Sequence, residues 1–96
     1  MVWYLRVHWH HDFPEEPVEL YSEVGDEGYE TRKVQMFRDG RLERADMETE
    51  TTMTGLSEVP IESLEEIASE EEFSPSVIGR EEFERVWSQA GISKET

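Results

Sequence analysis

Hydrophobic and polar residues alternate strictly from Val2 to His10: Trp3, Leu5, Val7 and Trp9 fall on one side, Tyr4, Arg6, His8 and His10 on the other. Period two is the signature of a half-buried β-strand, here with large core residues. Val18, Leu20, Ser22 and Val24 alternate in the same way with Glu19, Tyr21 and Glu23. Val34 and Met36 alternate with Lys33 and Gln35, and Leu42 follows Arg38-Asp39-Gly40-Arg41. Asp-Gly supplies the positive φ of a tight hairpin, so residues 29–48 read as two strands joined by that turn. Between the first and second strands, Asp12, Pro14 and Pro17 break the alternation and predict an irregular loop.

The period then changes. Pro60 suits a first helical turn, and Ile61, Leu64, Ile67 and Ala68 form a one-sided stripe, which predicts a helix over 60–69. Glu70-Glu71-Glu72 reads as its solvated continuation, with Phe73 tucked back to the core and Ser74-Pro75-Ser76 as a connector. Residues 46–58 lose periodicity and read as a strand end running into a loop. Near Gly79 a last helix begins, with Ile78 meeting Phe83 across its start. Phe83, Val86, Trp87 and Ala90 are its buried stripe, and Gly91 is expected to end it.

These elements predict one α+β domain over residues 1–96: a four-stranded antiparallel sheet with two C-terminal helices packed on one of its faces. The strands are placed at about 2–10, 18–24, 29–38 and 41–48, the helices at about 60–69 and 80–90, and a frayed tail at 92–96. A chain of 96 residues buries roughly 60–65% of its unfolded surface and needs no staple.

Charge narrows the function classes. The net charge is −15, and residues 45–96 carry −11 of it. Such a field repels nucleic acid and anionic membrane and steers basic partners. Five of the nine basic residues, Arg32, Lys33, Arg38, Arg41 and Arg44, sit in the hairpin, where cross-strand pairing with Glu30 and Glu43 is the expected use. Direct nucleic-acid binding is therefore not expected. The absence of cysteine removes disulfides and thiolate chemistry and fits a reducing compartment. No apolar stretch approaches membrane-spanning length and no leader pattern opens the chain, so a cytoplasmic protein is expected.

Four blocks carry a resemblance: the Trp9-His10-His11-Asp12-Phe13-Pro14 segment, the hairpin from Arg32-Lys33-Val34 to Phe37-Arg38-Asp39-Gly40-Arg41-Leu42, the Leu64-Glu65-Glu66-Ile67 helix and the stretch from Glu82-Phe83 to Trp87. Together they resemble a family of small bacterial proteins, the domain of unknown function 6881 family, over nearly all of residues 3–88. The resemblance implies no particular activity. In size and charge such proteins are similar to the immunity proteins of bacterial toxin systems, an analogy rather than a derivation.

His8, His10 and Asp12 are the weak candidates for metal ligands, with His11 or Glu15 able to complete a site and Glu15 or Glu16 to act as base. An exposed sheet face explains the histidines equally well, so no metal, cofactor or catalytic residue is expected. The face carrying Tyr4, Arg6, His8 and His10 beside Glu19, Tyr21 and Glu23 offers aromatic anchors flanked by charge. Glu65, Glu66, Glu70, Glu71 and Glu72 are a solvated face or a steering surface.

The leading expectation is a small acidic protein-binding module without enzymatic activity, an immunity-type inhibitor that occludes a basic toxin or nuclease. Tyr4, His8, His10, Glu19, Tyr21 and Glu23 would make contact, and the helix glutamates would steer. One alternative is a small metal- or His-dependent enzyme centred on His8, His10 and Asp12; another is a nucleic-acid mimic or regulatory module. Neither the partner nor the oligomeric state follows from the residues.

Overall fold

A computed structural model describes residues 2–46 and 64–94. The described elements are β1 (Trp3–Trp9), β2 (Pro17–Val24), β3 (Glu30–Phe37), β4 (Leu42–Asp46), α1 (Leu64–Ala68), β5 (Phe73–Ile78) and α2 (Arg80–Lys94). All pairings are antiparallel, in the spatial order β4-β3-β2-β1-β5. The fold is α+β with an antiparallel sheet, as expected, but the sheet has five strands. Residues 47–58, expected as a strand end and loop, and residues 60–63 of the expected helix lie outside the described residues.

The added strand is Phe73–Ile78, where a connector was expected. Ser74-Pro75-Ser76 hides its alternation, and proline normally argues against a strand. The backbone explains the exception. His10 N–H donates to Glu72 O at 2.7 Å, so even-numbered residues of β5 turn their backbone groups toward β1 in the observed register. Pro75 therefore faces away from β1, where its missing N–H removes no ladder bond. Phe73 N–H is taken by Glu70 O at 3.0 Å. Among the odd-numbered residues of β5, that leaves Val77 to offer an outward N–H, so this edge is a poor template for another strand. Pro75→Val should restore a second outward donor. Its expected effect is concentration-dependent self-association in sedimentation at about 1 M salt, where screening to about 3 Å mutes charge repulsion. A variant as monodisperse as the parent would count against this account of the edge.

Both inner hairpins close in the same way. Gly25 N–H bonds Tyr29 O at 2.9 Å and Gly28 N–H bonds Gly25 O at 3.0 Å; Phe37, Gly40 and Arg41 repeat the pattern at 2.9 Å each. In each three-residue loop the last position is a glycine with positive φ, 89° at Gly28 and 91° at Gly40. Asp39 keeps negative φ and instead accepts from Arg41 N–H at 3.0 Å. The turn is thus the glycine-bulge type rather than a two-residue Asp-Gly turn.

The helices lie on opposite faces, not together on one, and β5 separates them in sequence. Cross-strand register puts Tyr4, Arg6, Tyr21, Glu23, Arg32, Val34 and Arg44 on one face. α2 covers it, forming the main core from Phe83 and Ala90 with Tyr21, Val34 and Leu42. The other face carries the buried Leu5, Val7, Val24 and Ala45, and α1 overhangs it, with Ile67 lining a cavity above Leu5, Val7 and Leu20. The sheet is therefore covered on both sides.

The start of α2 follows the expectation. Phe83 N–H bonds Gly79 O at 3.2 Å, Ile78 packs on the Phe83 cluster, and Glu81 and Glu82 lie in the first turn. Its end does not. The helix runs through Gly91 to Lys94, and Gly91 has no positive φ. A Cβ at Gly91 would stand 2.8 Å from Arg44 Nη1. The glycine admits the Arg44 guanidinium, which stacks 4.5 Å from the Trp87 ring and donates to Trp87 O at 3.1 Å.

Candidate functional site

Two groups of residues carry chemistry on this frame: a cross-strand cluster with the histidine segment at one end of β1, and the acidic surface of α1.

Glu19 enters β2 opposite His8 and beside Arg6, and its side chain is only 6% exposed. Arg6 grips it through Nε at 2.7 Å and a terminal nitrogen at 2.9 Å, and His8 Nδ1 completes the set at 2.8 Å. A buried carboxylate is tolerable only when hydrogen-bonded and paired, and here it is both. Burial pushes the Glu19 carboxyl up, but the hydrogen bonds from Arg6 and His8 outweigh it and hold it below its ordinary value. Glu23 is held low in the same sense by Arg32.

These lowered carboxyls set an acid limit. Between the folded and unfolded values the unfolded chain binds more protons, so stability rises with pH there. The contribution is complete above the unfolded carboxylate value of roughly 4.3 and is lost as pH falls through the lowered folded value. The thermal midpoint should therefore fall on acidification below about pH 4, and Glu19→Gln should flatten that fall. A Glu19→Gln profile parallel to the parent's would sink the assignment.

The histidines are individually engaged. His11 Nε2 donates to Pro17 O at 2.7 Å while Nδ1 accepts from Phe13 N–H at 3.0 Å, because a carbonyl can only accept and a backbone N–H only donate. Both ring nitrogens of His11 are thus occupied. His10 Nε2 meets Ser74 Oγ at 2.6 Å, and the His8 and His10 rings touch edge to face at 4.4 Å. The three line a cleft with Asp12 and Arg38. Among the described residues no group of three or more His, Asp or Glu side chains is placed to hold a metal ion.

The sheet face expected to offer contact anchors is the face that α2 covers. Tyr21 and Glu19 are 7% and 5% exposed. Tyr4 packs on Phe83 with ring centroids 5.2 Å apart and hydrogen-bonds Glu23. Glu23 takes two bonds from Arg32, at 3.0 and 2.6 Å. His8 and His10 keep exposed surface at the open end. The reason is that Tyr, Arg and Glu have long stems that pack while their ends pair, so an amphipathic face can be a core face.

The hairpin cations are spoken for as well. Arg32 pairs with Glu23 and Glu84, Lys33 with Glu30 at 3.2 Å, and Arg41 with Glu43 at 3.7 Å. Arg38 donates to His11 O at 2.6 Å. Glu30 and Glu43 are thus paired with bases near them in sequence, Lys33 three residues along β3 and Arg41 two residues before Glu43, where cross-strand pairs were expected.

By contrast Glu65, Glu66, Glu70, Glu71 and Glu72 are all exposed, on α1 and the turn that follows it. Beneath them an open cavity of about 360 Å³ separates α1 from the sheet. Its lining includes Leu20, Ile67 and Phe73, which sequence reasoning did not assign to any site. The alternation that put Leu20 on a core face was the available signal; what stands above that face is a long-range matter.

Among the described residues, a five-stranded antiparallel sheet with a helix over each face, and a glutamate-rich surface beside an apolar cavity, define a small acidic α+β domain. The chain belongs to the family described as Domain of unknown function (DUF6881), whose model matches residues 3–92. No curated protein and no solved structure matches it. No helix among the described residues is long and apolar enough to cross a membrane.

Proposed function

We propose that this protein is a cytoplasmic, non-enzymatic binding module of the immunity type, which occludes a basic toxin or nuclease. The observation that carries the reading is the exposure of Glu65, Glu66, Glu70, Glu71 and Glu72 on one short helix and its turn, in a chain of net charge −15. The described cations of the hairpin are engaged within the sheet and with α2, and the exposed glutamates give this surface its negative field. Such a field accelerates docking, and a few buried anchors then decide affinity.

The test is capture from the native host at about 50 mM and about 300 mM salt, read by mass spectrometry. One basic partner retained at both salts, and released when Glu66 and Glu70 are changed to Gln, is the expected result. A set of unrelated basic proteins lost at the higher salt would reduce the charge to a solubility device.

A second reading, a His-dependent enzyme, draws on one feature: the Glu19 carboxylate orients the His8 ring through Nδ1 at 2.8 Å, leaving Nε2 as the nitrogen that could accept a proton. Hydrolysis of an activated ester that disappears in His8→Asn would favour it; equal rates would remove it.

A further inference from the structure

We infer that the cavity under α1 is a socket for one apolar side chain of the partner, carried on a segment whose flanking residues are basic. This rests on the binding-module reading and names the chemistry of the contact.

The interior of the cavity is aliphatic and aromatic. Leu5 and Val7 form an almost wholly buried floor, and Leu20, Ile67 and Phe73 stand half-buried around it. Among its lining, the buried Glu30 carboxylate already has the Ser22 hydroxyl at 2.6 Å and Lys33 Nζ at 3.2 Å. A paired carboxylate needs no polar ligand, so the occupant is apolar at its tip. Size agrees. An aliphatic cavity of about 150 Å³ holds a benzene ring, and about 360 Å³ leaves room for a ring and its stem.

The mouth has the opposite chemistry. Glu66 and Glu70 both line the cavity and both are exposed. Glu66 lies on α1 and Glu70 in the turn that follows it, and both stand at the same opening. A segment that inserts an apolar side chain must pass its neighbours across these carboxylates, which favours Lys or Arg on either side. A second copy of this chain would bring its own charge of −15 to the same place, which disfavours it. Strand addition beside the cavity is discouraged, because Pro75 and the turn bond of Phe73 leave the β5 edge short of donors. Contact through a side-chain socket does not need that edge.

Three amidated peptides test this in about 20 mM salt, where screening is weak: Lys-Lys-Phe-Lys-Lys, Lys-Lys-Ala-Lys-Lys and Glu-Glu-Phe-Glu-Glu. Methyl resonances of Leu20 and Ile67 report occupancy. The lysine–phenylalanine peptide should bind at least about tenfold tighter than its alanine counterpart, the size expected for burying one ring, and should shift those methyls. Leu20→Trp, which fills the interior of the cavity, should abolish the preference for phenylalanine over alanine. Equal affinity of the two lysine peptides, with unmoved methyls, would overturn the socket while leaving the acidic-surface reading intact. Failure of both lysine peptides to bind would overturn that reading and the socket with it. Equal binding of the glutamate peptide would overturn the basic-partner requirement. The comparison of peptides on the parent protein decides the matter even where the variant does not fold.

Discussion

Phe83→Ala is expected to lose about 3–5 kcal/mol, enough to unfold much of the population of a small domain. Phe83 is the largest fully buried side chain among the described residues, and three partners surround its ring. Tyr4 stands 5.2 Å away, Trp87 6.2 Å, and the Arg32 guanidinium 4.9 Å above its face. Truncation removes the transfer free energy of the ring and leaves a cavity that β1, β3 and α2 cannot all close at once. It also leaves Arg32 without one of its two ring contacts. Urea denaturation should show a lower midpoint with an unchanged slope, since the surface exposed on unfolding hardly changes. Phe83→Leu should keep most of the volume and lose only about 1–1.5 kcal/mol. A Phe83→Ala loss below about 1 kcal/mol would mean that α2 is not the main cover of this face.

Arg32→Met should cost about 2–4 kcal/mol, although the side chain is charged and near the surface. Arg32 donates to Glu23 at 3.0 and 2.6 Å and to Glu84 at 3.0 and 2.7 Å, while lying 4.9 Å over Phe83 and 5.0 Å over Trp87. The two ion pairs are not equal. Glu84 is 38% exposed, so water screens it and its loss costs little. Glu23 is 15% exposed, and removing its guanidinium leaves a poorly hydrated carboxylate with only the Tyr4 and Thr31 hydroxyls. Both partners hold Arg32 well above its ordinary range, so it stays charged throughout. Glu23→Gln in the Arg32→Met background should recover part of the loss, and the double-mutant cycle should show coupling above about 1 kcal/mol. Arg32→Lys should recover less than half, because an ammonium cannot make two forked contacts or stack on a ring. Additive losses in the cycle would show that Arg32 acts through packing alone.

Both predictions concern a face that reads, residue by residue, as an outer surface. Alternation puts Tyr4 and Arg6 on one side of β1 and Tyr21 and Glu23 on one side of β2, and the register joins them with Arg32 and Val34 on a single face. It says nothing about what lies above that side. Hydropathy ranks Trp3, Leu5, Val7 and Trp9 as the more apolar set, which is why a single buried face was expected. The matching partner is on α2, where Phe83 and Trp87 meet the Arg32 guanidinium and Glu84 meets its charge. That complementarity couples residues 52 apart in the chain, and local pattern carries no trace of it.

The candidate site divides in the same way. The exposed glutamates of α1 were legible as a charge run, because a run of like charge cannot be buried. The aromatic anchors were not, since exposure depends on the position of α2. The cavity was not legible at all: Leu20 lies on β2, Ile67 on α1 and Phe73 on β5, and only their convergence makes a space.

Local chemistry thus decided the first four strands, the glycine of the β3–β4 hairpin, the start of α2 and its apolar stripe, and the sign of the surface field. Each depends on residues within one turn or one strand of each other, where steric limits and hydrogen-bond valence act directly. Tertiary structure decided the rest. β5 became a strand because β1 had a free side and Pro75 could turn its nitrogen away from it, and α2 runs through Gly91, whose missing side chain leaves room for Arg44. The polar sheet face became the core because Arg32 and Glu23 could satisfy each other there. Burial and pairing are properties of what surrounds a residue, and those surroundings exist only once distant segments have met.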